Sequence, residues 1–495
     1  MKVLLSALAV TLSLFACTAS KKETPEKPNI IIILADDMGY GDVQALNTKS
    51  EIATPNLNKL ASESVVFTDA HTPSSVCTPT RYGLLTGRYC WRTRLKKGVL
   101  RGYDKPLIKE DRPTIASYLK EEGYATGIIG KWHLGLGFQK DEAKSKSKKP
   151  VYDITRPLYA SPNNNGFDYS YVLPASLDFA PYVYVKNNKV TATEYTHVPH
   201  TNFPQLRRKG LTDKKFEFEG VLDHFLSEAK NYIRRQAKSE QPFFLYFPFT
   251  APHTPLLPTE NFKGKSGKGV YGDFIMQVDW TAGEILKLLD ELEIADNTLV
   301  IFTSDNGSPM ARIDNKHDAD HCQYDSLQYY NADKHQANHL YSGIKGDVLE
   351  GGHRVPFFVR WSGRFKPSVV NDAPICLTDV VSTVAELIGS DLPAGAAEDS
   401  YSFYPVLTAK QKNVNRPAIV HHSGKGMFAV RKGDWKLILG NGSGARTEPI
   451  GEPFAGPFQL YNLKEDIQEQ TNLIDSEQTI KTDIEVAFEK IKTEK

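Results

Sequence analysis

Asn29-Ile30-Ile31-Ile32-Ile33-Leu34-Ala35-Asp36-Asp37-Met38-Gly39 sets an unbroken β-branched run directly before two aspartates. A run of this kind suits a strand buried on both faces, since a strand with one wet face would alternate apolar and polar residues. Runs of similar character recur at 125–130, 243–249, 298–303 and 355–361. Helical patterns lie between them at 54–62, 114–122, 271–292 and 378–388, the first opened by Thr54-Pro55 as cap and first turn. Strand and helix in alternation predict an α/β sheet flanked by helices.

In open α/β sheets, ligands bind beyond the carboxyl ends of the strands. Asp36-Asp37 follows the first run, Lys131-Trp132-His133 the second, His253 the third and Asp305-Asn306-Gly307 the fourth. Polar groups distant in the chain are therefore expected to converge on one crevice. Segments 140–159, 186–214 and 308–338 are charged and weakly periodic, and read as surface insertions. His317, Asp318, Asp320 and His321 fall in the last of these and read as a solvated or substrate-lining loop rather than a second metal site. Trp91, Tyr182, Tyr184 and Trp361 read as packing aromatics rather than sugar platforms. Past about residue 410 the character changes. Stretches 417–422, 427–439 and 458–463 read as short strands joined by Gly-rich turns, with a polar helix closing the chain. The expected organisation is a large α/β domain over 29–410 and a small antiparallel subdomain over 411–495.

The chain has 495 residues, enough for one large domain and a smaller one. Lys and Arg total 60 against 59 Asp and Glu, so net charge gives no case for nucleic acid as a partner. Lys2 and the apolar run over 3–15 have the form of an export signal. Leu14-Phe15-Ala16-Cys17 resembles a bacterial lipobox, although Phe15 is untypical there, and 18–28 reads as a polar tether. The expectation is an exported protein, periplasmic or an outer-membrane lipoprotein of a Gram-negative bacterium, whose only membrane contact is a lipid on Cys17. Simple secretion stands as the alternative. Cysteine occurs at 17, 77, 90, 322 and 376, an odd number without zinc-type spacing, which argues against a disulfide framework while leaving room for one bridge.

Asp36, Asp37, Asp305 and Asn306 offer only oxygen ligands. Such a set suits a hard cation, Ca²⁺ first and Mg²⁺ second. Any one Asp-Asp pair is more often a cap or a turn, but two polar pairs ending buried strands favour a metal. Cys77-Thr78-Pro79-Thr80-Arg81-Tyr82-Gly83-Leu84-Leu85-Thr86-Gly87-Arg88 reads as a helix start, with Pro79 in the first turn and Cys77 near free backbone N–H groups that favour an anion. Arg81 lies one turn along, placed for the same anion.

That segment resembles the sulfatase signature Cys-x-Pro-x-Arg with its Leu-Leu-Thr-Gly-Arg extension. Thr80 stands where Ser is common. Five further motifs follow the family's order: Leu34-Ala35-Asp36-Asp37-Met38-Gly39, Gly130-Lys131-Trp132-His133-Leu134-Gly135, Ala251-Pro252-His253-Thr254-Pro255, Thr303-Ser304-Asp305-Asn306-Gly307, and Gly343-Ile344-Lys345-Gly346 leading to Glu350-Gly351-Gly352-His353-Arg354-Val355-Pro356. The resemblance implies an alkaline-phosphatase-like fold: a large mixed, mostly parallel sheet sandwiched by helices, with a smaller C-terminal antiparallel sheet. It implies that a formylglycine-generating enzyme oxidises Cys77 to an aldehyde, whose hydrate attacks sulfur and expels the substrate alcohol. Asp36, Asp37, Asp305 and Asn306 match the metal ligands, and Arg81, Lys131 and Lys345 the groups that cradle nucleophile and sulfate. His253 matches the general acid, and His133 the group that takes the second proton and restores the aldehyde. The expected substrate is a sulfated mono- or oligosaccharide. A phosphate or phosphonate ester hydrolase of the same superfamily is the enzymatic alternative, and a glycan-binding protein on an inactive fold the non-enzymatic one.

Overall fold

The structure, a computed structural model, describes residues 27–143, 150–310 and 335–493. Its main sheet has ten strands. In chain order these are β1 (Asn29–Asp36), β2 (Val65–Phe67), β3 (Ala125–Lys131), β4 (Tyr169–Leu173), β5 (Val185–Lys186), β6 (Lys189–Val190), β7 (Phe243–Pro252), β8 (Thr298–Ser304), β9 (Phe357–Arg360) and β10 (Val369–Asn371). Side by side they run β10-β2-β9-β8-β1-β7-β3-β4-β5-β6. The centre, from β8 through β1, β7 and β3 to β4, is parallel. β9 joins it antiparallel on one side, and β5 and β6 on the other. The expected mixed, mostly parallel sheet is thus present.

β1 shows why its sequence lacks alternation. Ile30, Ile32 and Leu34 enter one core and Ile31, Ile33 and Ala35 the opposite one, all at 0% exposure. Each such isoleucine contributes about 1.5–3 kcal/mol of burial. Seven helices matter here: α1 (Pro55–Ser62), α2 (Cys77–Thr86), α3 (Ile115–Glu121), α4 (Val221–Gln236), α5 (Gly269–Glu291), α6 (Val380–Ile388) and α7 (Gln478–Thr493). α2, α3 and α6 cover the first face through Leu85, Leu119 and Val384. α1, α4 and α5 cover the second through Leu57, Phe225 and Ile285. The expected cap of α1 is not the one used. Thr54 Oγ1 accepts from Gln44 N–H at 3.0 Å, while Asp279 of α5 takes up the helix's own amides, with Leu57 N–H donating at 2.7 Å. A carboxylate on a neighbouring helix outcompetes the local hydroxyl because it accepts with both oxygens and complements the helix dipole.

Other readings change in detail. α4 had no counterpart in the sequence reading. The insertion 186–214 is not all loop: β6 and an antiparallel pair, Tyr195–Val198 against Gly210–Asp213, lie in it. The stretch 427–439 is a hairpin and not one strand, turning at Gly433 with φ 58°. The C-terminal sheet therefore has four antiparallel strands, β11 (Ile419–His422), β12 (Phe428–Lys432), β13 (Trp435–Ile438) and β14 (Gln459–Asn462). α7 packs on it through Ile484, Ala487, Phe488 and Ile491, one stripe of an otherwise polar helix. Among the described residues Cys77, Cys90 and Cys376 are free and buried.

A buried polar cluster joins this sheet to the main domain. Lys436 of β13 donates to Glu350 at 3.0 Å and pairs with Glu469 at 2.8 Å. Arg431 of β12 and Arg354 both pair with Asp69, and Arg354 also reaches Glu350 at 3.2 Å. His71, His353 and His421 fill the centre. The rings of His353 and His421 stack at 3.9 Å with 7° between planes. Imidazole lone pairs lie in the ring plane, so stacked rings direct them in parallel and not toward one point. The trio is built for packing and hydrogen bonding rather than for a metal. Burial, the largest influence on each, holds the pKa of His71, His353, His421 and His422 below 6.5, that of His422 at about 4. A depressed histidine pKa adds stability that is full above 6.5 and is lost as pH falls below it, because the unfolded chain takes up the proton first. Glu469, pushed up to about 7 by burial, has the opposite sign and offsets one of the four. The urea midpoint at pH 5.5 is therefore expected to lie below that at pH 7.5. An unchanged or higher midpoint at pH 5.5 would contradict this account.

Candidate active site

The parallel centre of the sheet brings four carboxyl ends to one edge, and the expected residues are there. β1 ends on Asp36, β3 on Lys131, β7 runs into His253 and β8 into Asp305-Asn306. Ala35 lies opposite Ser304 and Asp36 opposite Pro252, so the first, third and fourth ends are level. α2 starts at Cys77 itself and points its first turn into the same crevice. One ligating atom each from Asp36, Asp37, Cys77 and His253 lies within 4.8 Å of the others. The backbone is bent to achieve this. Asp37 and His133, directly beyond their strands or one residue later, hold φ of 69° and 57°. Such conformations cost roughly 1–3 kcal/mol and persist where surrounding contacts fix them.

The charges are paired across the crevice. Lys131 Nζ donates to both Asp36 oxygens at 2.8 and 2.7 Å, and Lys345 Nζ to Asp37 Oδ2 at 2.7 Å. Arg81 donates from Nε and from one terminal nitrogen to Asp305 Oδ2, at 3.0 and 2.7 Å. Three cations thus balance three carboxylates. Burial, the largest single influence, pushes the Asp36 carboxyl up, but Lys131, His253, Arg81 and Lys345 together hold it well below its usual value. Asp37 is lowered in the same way, chiefly by Lys345 and His253 against burial. Asp305 is pushed up by burial and by Asp36, with Arg81 opposing. Burial also works against the charged form of Lys345, yet Asp37 keeps its pKa above the ordinary value.

The Cys77 sulfur donates toward Asp36 Oδ1 at 3.7 Å. Burial raises the thiol to about 12 against the pull of Lys131 and Lys345, so at neutral pH it is un-ionised and a poor nucleophile. The histidines have defined tautomers. Leu100 O can only accept, so His133 Nε2, at 2.7 Å from it, carries the proton. Burial, Lys131 and Arg81 hold the ring's pKa well below 6.5, and Nδ1 is left as a buried lone pair with no partner among the described residues. His253 Nδ1–H donates to Thr254 O at 2.5 Å, which turns Nε2 toward Asp37 Oδ2, 3.7 Å away.

The donor set fits a hard cation. Asn306 Nδ2 donates to Asp37 Oδ1 at 2.7 Å and to Gly307 O at 3.0 Å, which fixes the amide's orientation. Its Oδ1 is buried and accepts nothing among the described residues. An orphaned amide oxygen beside two carboxylates is a cost unless something positive meets it. Asp305 is less available, since Arg81 and the Asp37 N–H occupy its oxygens. Gly307 lets this turn close: a Cβ there would stand 1.8 Å from Gly351 O. His317, Asp318, Asp320 and His321 lie outside the described residues.

Two contributors escaped the sequence reading. The Leu100 carbonyl, which sets the His133 tautomer, carries no side-chain signal. Asp347, fully buried, accepts from Ile344 N–H at 2.9 Å and Arg446 N–H at 2.7 Å and so braces the Lys345 segment. It falls between the two halves of the last motif, and its partner is in the turn between β13 and β14.

This combination of sheet, helix opening on Cys77 and paired charges is that of a sulfuric ester hydrolase. The Sulfatase family model matches residues 28–390, and the chain belongs to the sulfatase family. It is 33% identical to an N-acetylgalactosamine-6-O-sulfatase of Bacteroides thetaiotaomicron over 95% of this chain and 94% of that protein. A solved 6S-sulfatase structure from work on glycosaminoglycan metabolism in Bacteroides thetaiotaomicron superposes with a TM-score of 0.81 at 32% identity, covering 94% of this chain and 100% of that one. A second structure, a protein in complex with a neocarrahexaose, gives 0.68 at 25% identity over 94% and 92%.

Proposed function

We propose that this sulfatase removes sulfate from a sulfated carbohydrate, with Cys77 converted to formylglycine and Ca²⁺ held by Asp36, Asp37, Asp305 and Asn306. The observation that carries the metal and nucleophile assignment is the buried, unsatisfied Asn306 Oδ1 beside carboxylates that face Cys77. The carbohydrate assignment is supported by relatives whose names or bound ligands are sugars. When present, the aldehyde hydrate supplies an attacking hydroxyl, and the dication lowers its pKa and offsets sulfate charge. The chain's own groups do the rest. Lys131, Arg81 and Lys345 line the crevice with positive charge where negative charge develops on the sulfate oxygens. His253, with Nδ1–H committed to Thr254 O, turns Nε2 beside Asp37, and when the ring is in its cationic form that nitrogen gives a proton to the departing oxygen. His133 keeps Nδ1 as a lone pair and takes a proton from the nucleophile side. The export signal and Cys17, both outside the described residues, lead us to infer an exported lipoprotein.

The test is sulfate release by enzyme matured with a formylglycine-generating system and supplied with Ca²⁺, over a panel of sulfated mono- and oligosaccharides and matching phosphate esters. Release from a sulfated sugar is expected, falling at least about 100-fold after chelation and returning with Ca²⁺. Cleavage of the phosphate esters alone, or no cleavage when mass spectrometry finds the aldehyde at Cys77, would overturn the reading.

A further inference from the structure

Arg94, Lys96, Lys97, Arg101 and Lys105 give the segment 94–105 five cations against one acid, Asp104, in a chain whose 60 Lys and Arg meet 59 Asp and Glu. All five side chains are exposed. Arg94 and Lys96 are held by backbone oxygens, Arg94 by Pro106 O at 2.9 Å and Lys105 O at 2.6 Å, Lys96 by Trp91 O at 2.6 Å. Asp104 accepts from the Arg101 backbone N–H at 2.7 Å. The charged ends of Lys97, Arg101 and Lys105 pair with no carboxylate among the described residues. Exposed like charges repel one another and gain nothing from the fold, while their potentials add in the solvent in front of them.

The backbone under these charges belongs to the crevice. Leu100 O accepts from His133 Nε2, and Leu100 N–H donates to Thr78 Oγ1, in the first turn of α2, at 3.1 Å. Gly98 N–H donates to Gly424 O at 2.8 Å, and Gly424 N–H donates to Gly346 O, beside Lys345, at 2.8 Å. The segment therefore reaches from the His133 side of the site to the turn over 423–426, between β11 and β12, which backs Lys345. A Cβ on Gly426 would lie 3.6 Å from Lys97 Cβ, so that turn adjoins Lys97. It adds Lys425, another exposed cation with no carboxylate partner among the described residues. Two segments far apart in the chain thus bring uncompensated positive charge to the same border.

We propose that 94–105 and 423–426 form a basic rim, a contact surface outside the catalytic groups, along which the anionic remainder of a sulfated saccharide chain lies while one of its sulfates enters the crevice. Lys97, Arg101 and Lys425 are its working charges. The rim acts through summed charge on mobile, solvated side chains, so it tolerates different sugars and is screened by salt. This rests on the sulfatase reading above and narrows its substrate class to polyanionic oligosaccharides, in preference to lone sulfated sugars.

Binding is measured first, on the Cys77→Ala chain, where no turnover is needed. The probe is a fluorescein-labelled dextran sulfate hexasaccharide. Lys97→Gln, Arg101→Gln and Lys425→Gln together are expected to weaken its binding about 10-fold in about 50 mM NaCl and clearly less in about 200 mM, because exposed ion pairs are individually weak and screened. The charge-keeping set Lys97→Arg, Arg101→Lys and Lys425→Arg should stay within about threefold of the parent. So should Lys59→Gln, Lys238→Gln and Lys287→Gln together, three exposed charges on or beside the helices of the second face. On matured enzyme with Ca²⁺, the first triple variant should lower kcat/KM for a sulfated oligosaccharide about 10-fold more than for the matching sulfated monosaccharide. Equal losses from the two glutamine sets, a loss that salt does not reduce, equal falls for the long and short substrates, or single-stranded DNA of the same charge binding more tightly than the glycan through these residues would each overturn the proposal. Binding needs no nucleophile, so matured enzyme that binds the glycan through the rim yet releases no sulfate would count against the sulfatase reading alone.

Discussion

Replacing Cys77 by alanine is expected to reduce sulfate release by roughly 10⁴-fold or more while leaving the fold in place. The geometry explains both halves. The sulfur lies among Asp36, Asp37 and His253, where the proposed reaction brings the substrate sulfate. The thiol is held un-ionised by burial, which accords with the proposed reading that the modified side chain, and not the thiol, attacks. Removing one buried sulfur atom from α2 costs about 1 kcal/mol, because Leu84, Leu85 and Tyr82 anchor the helix independently. Sulfate release and a thermal melt of the same preparation check this together. Residual activity within about tenfold of wild type would mean that a different group attacks.

Glu350→Ala is expected to do the reverse, costing about 3–5 kcal/mol of stability. Glu350 is fully buried, accepts from Lys436 at 3.0 Å and Arg354 at 3.2 Å, and donates its own N–H to Glu469 at 2.8 Å. Burial alone would raise its carboxyl pKa, but Lys436, His71, His353 and Arg354 hold it well below the usual value, so a true charge is removed. What remains is Lys436 with a single carboxylate partner, in a place water does not reach. Chemical denaturation followed by fluorescence should show the loss, and a midpoint within error of wild type would mean that the cluster relaxes around the gap. Together with Cys77→Ala this variant separates chemistry from scaffold.

The central strands were legible because they are solid apolar runs, a pattern that two covered faces require. Their ends were not. β1, β3, β7 and β8 each extend one to three residues beyond the apolar stretch, to Asp36, Lys131, Pro252 and Ser304. Those residues pair only because neighbours end at the same level, which no local preference encodes. β2 is three residues long and α4 wears charge on most of its surface, so neither rose above its surroundings. The Gly433 turn hid a hairpin inside what read as one strand. In the site, every expected residue lies in or against the crevice, since each sits in a motif that ends a strand or starts a helix. Asp347 with Arg446 was out of reach. The two are 99 residues apart, and their bond joins a side chain to a backbone N–H that any residue would offer.

Cys77 is 2% exposed at the base of a crevice assembled from segments between Asp36 and Lys345. A second enzyme that must grip the residues around this sulfur cannot do so once β1, β7 and β8 have closed beside it. Under the proposed maturation, oxidation is therefore a race against folding: each newly made chain has one interval in which to be activated, and a molecule that folds first stays inert for its lifetime. The specific activity of a preparation would then record how slowly its chains folded as much as how many were made.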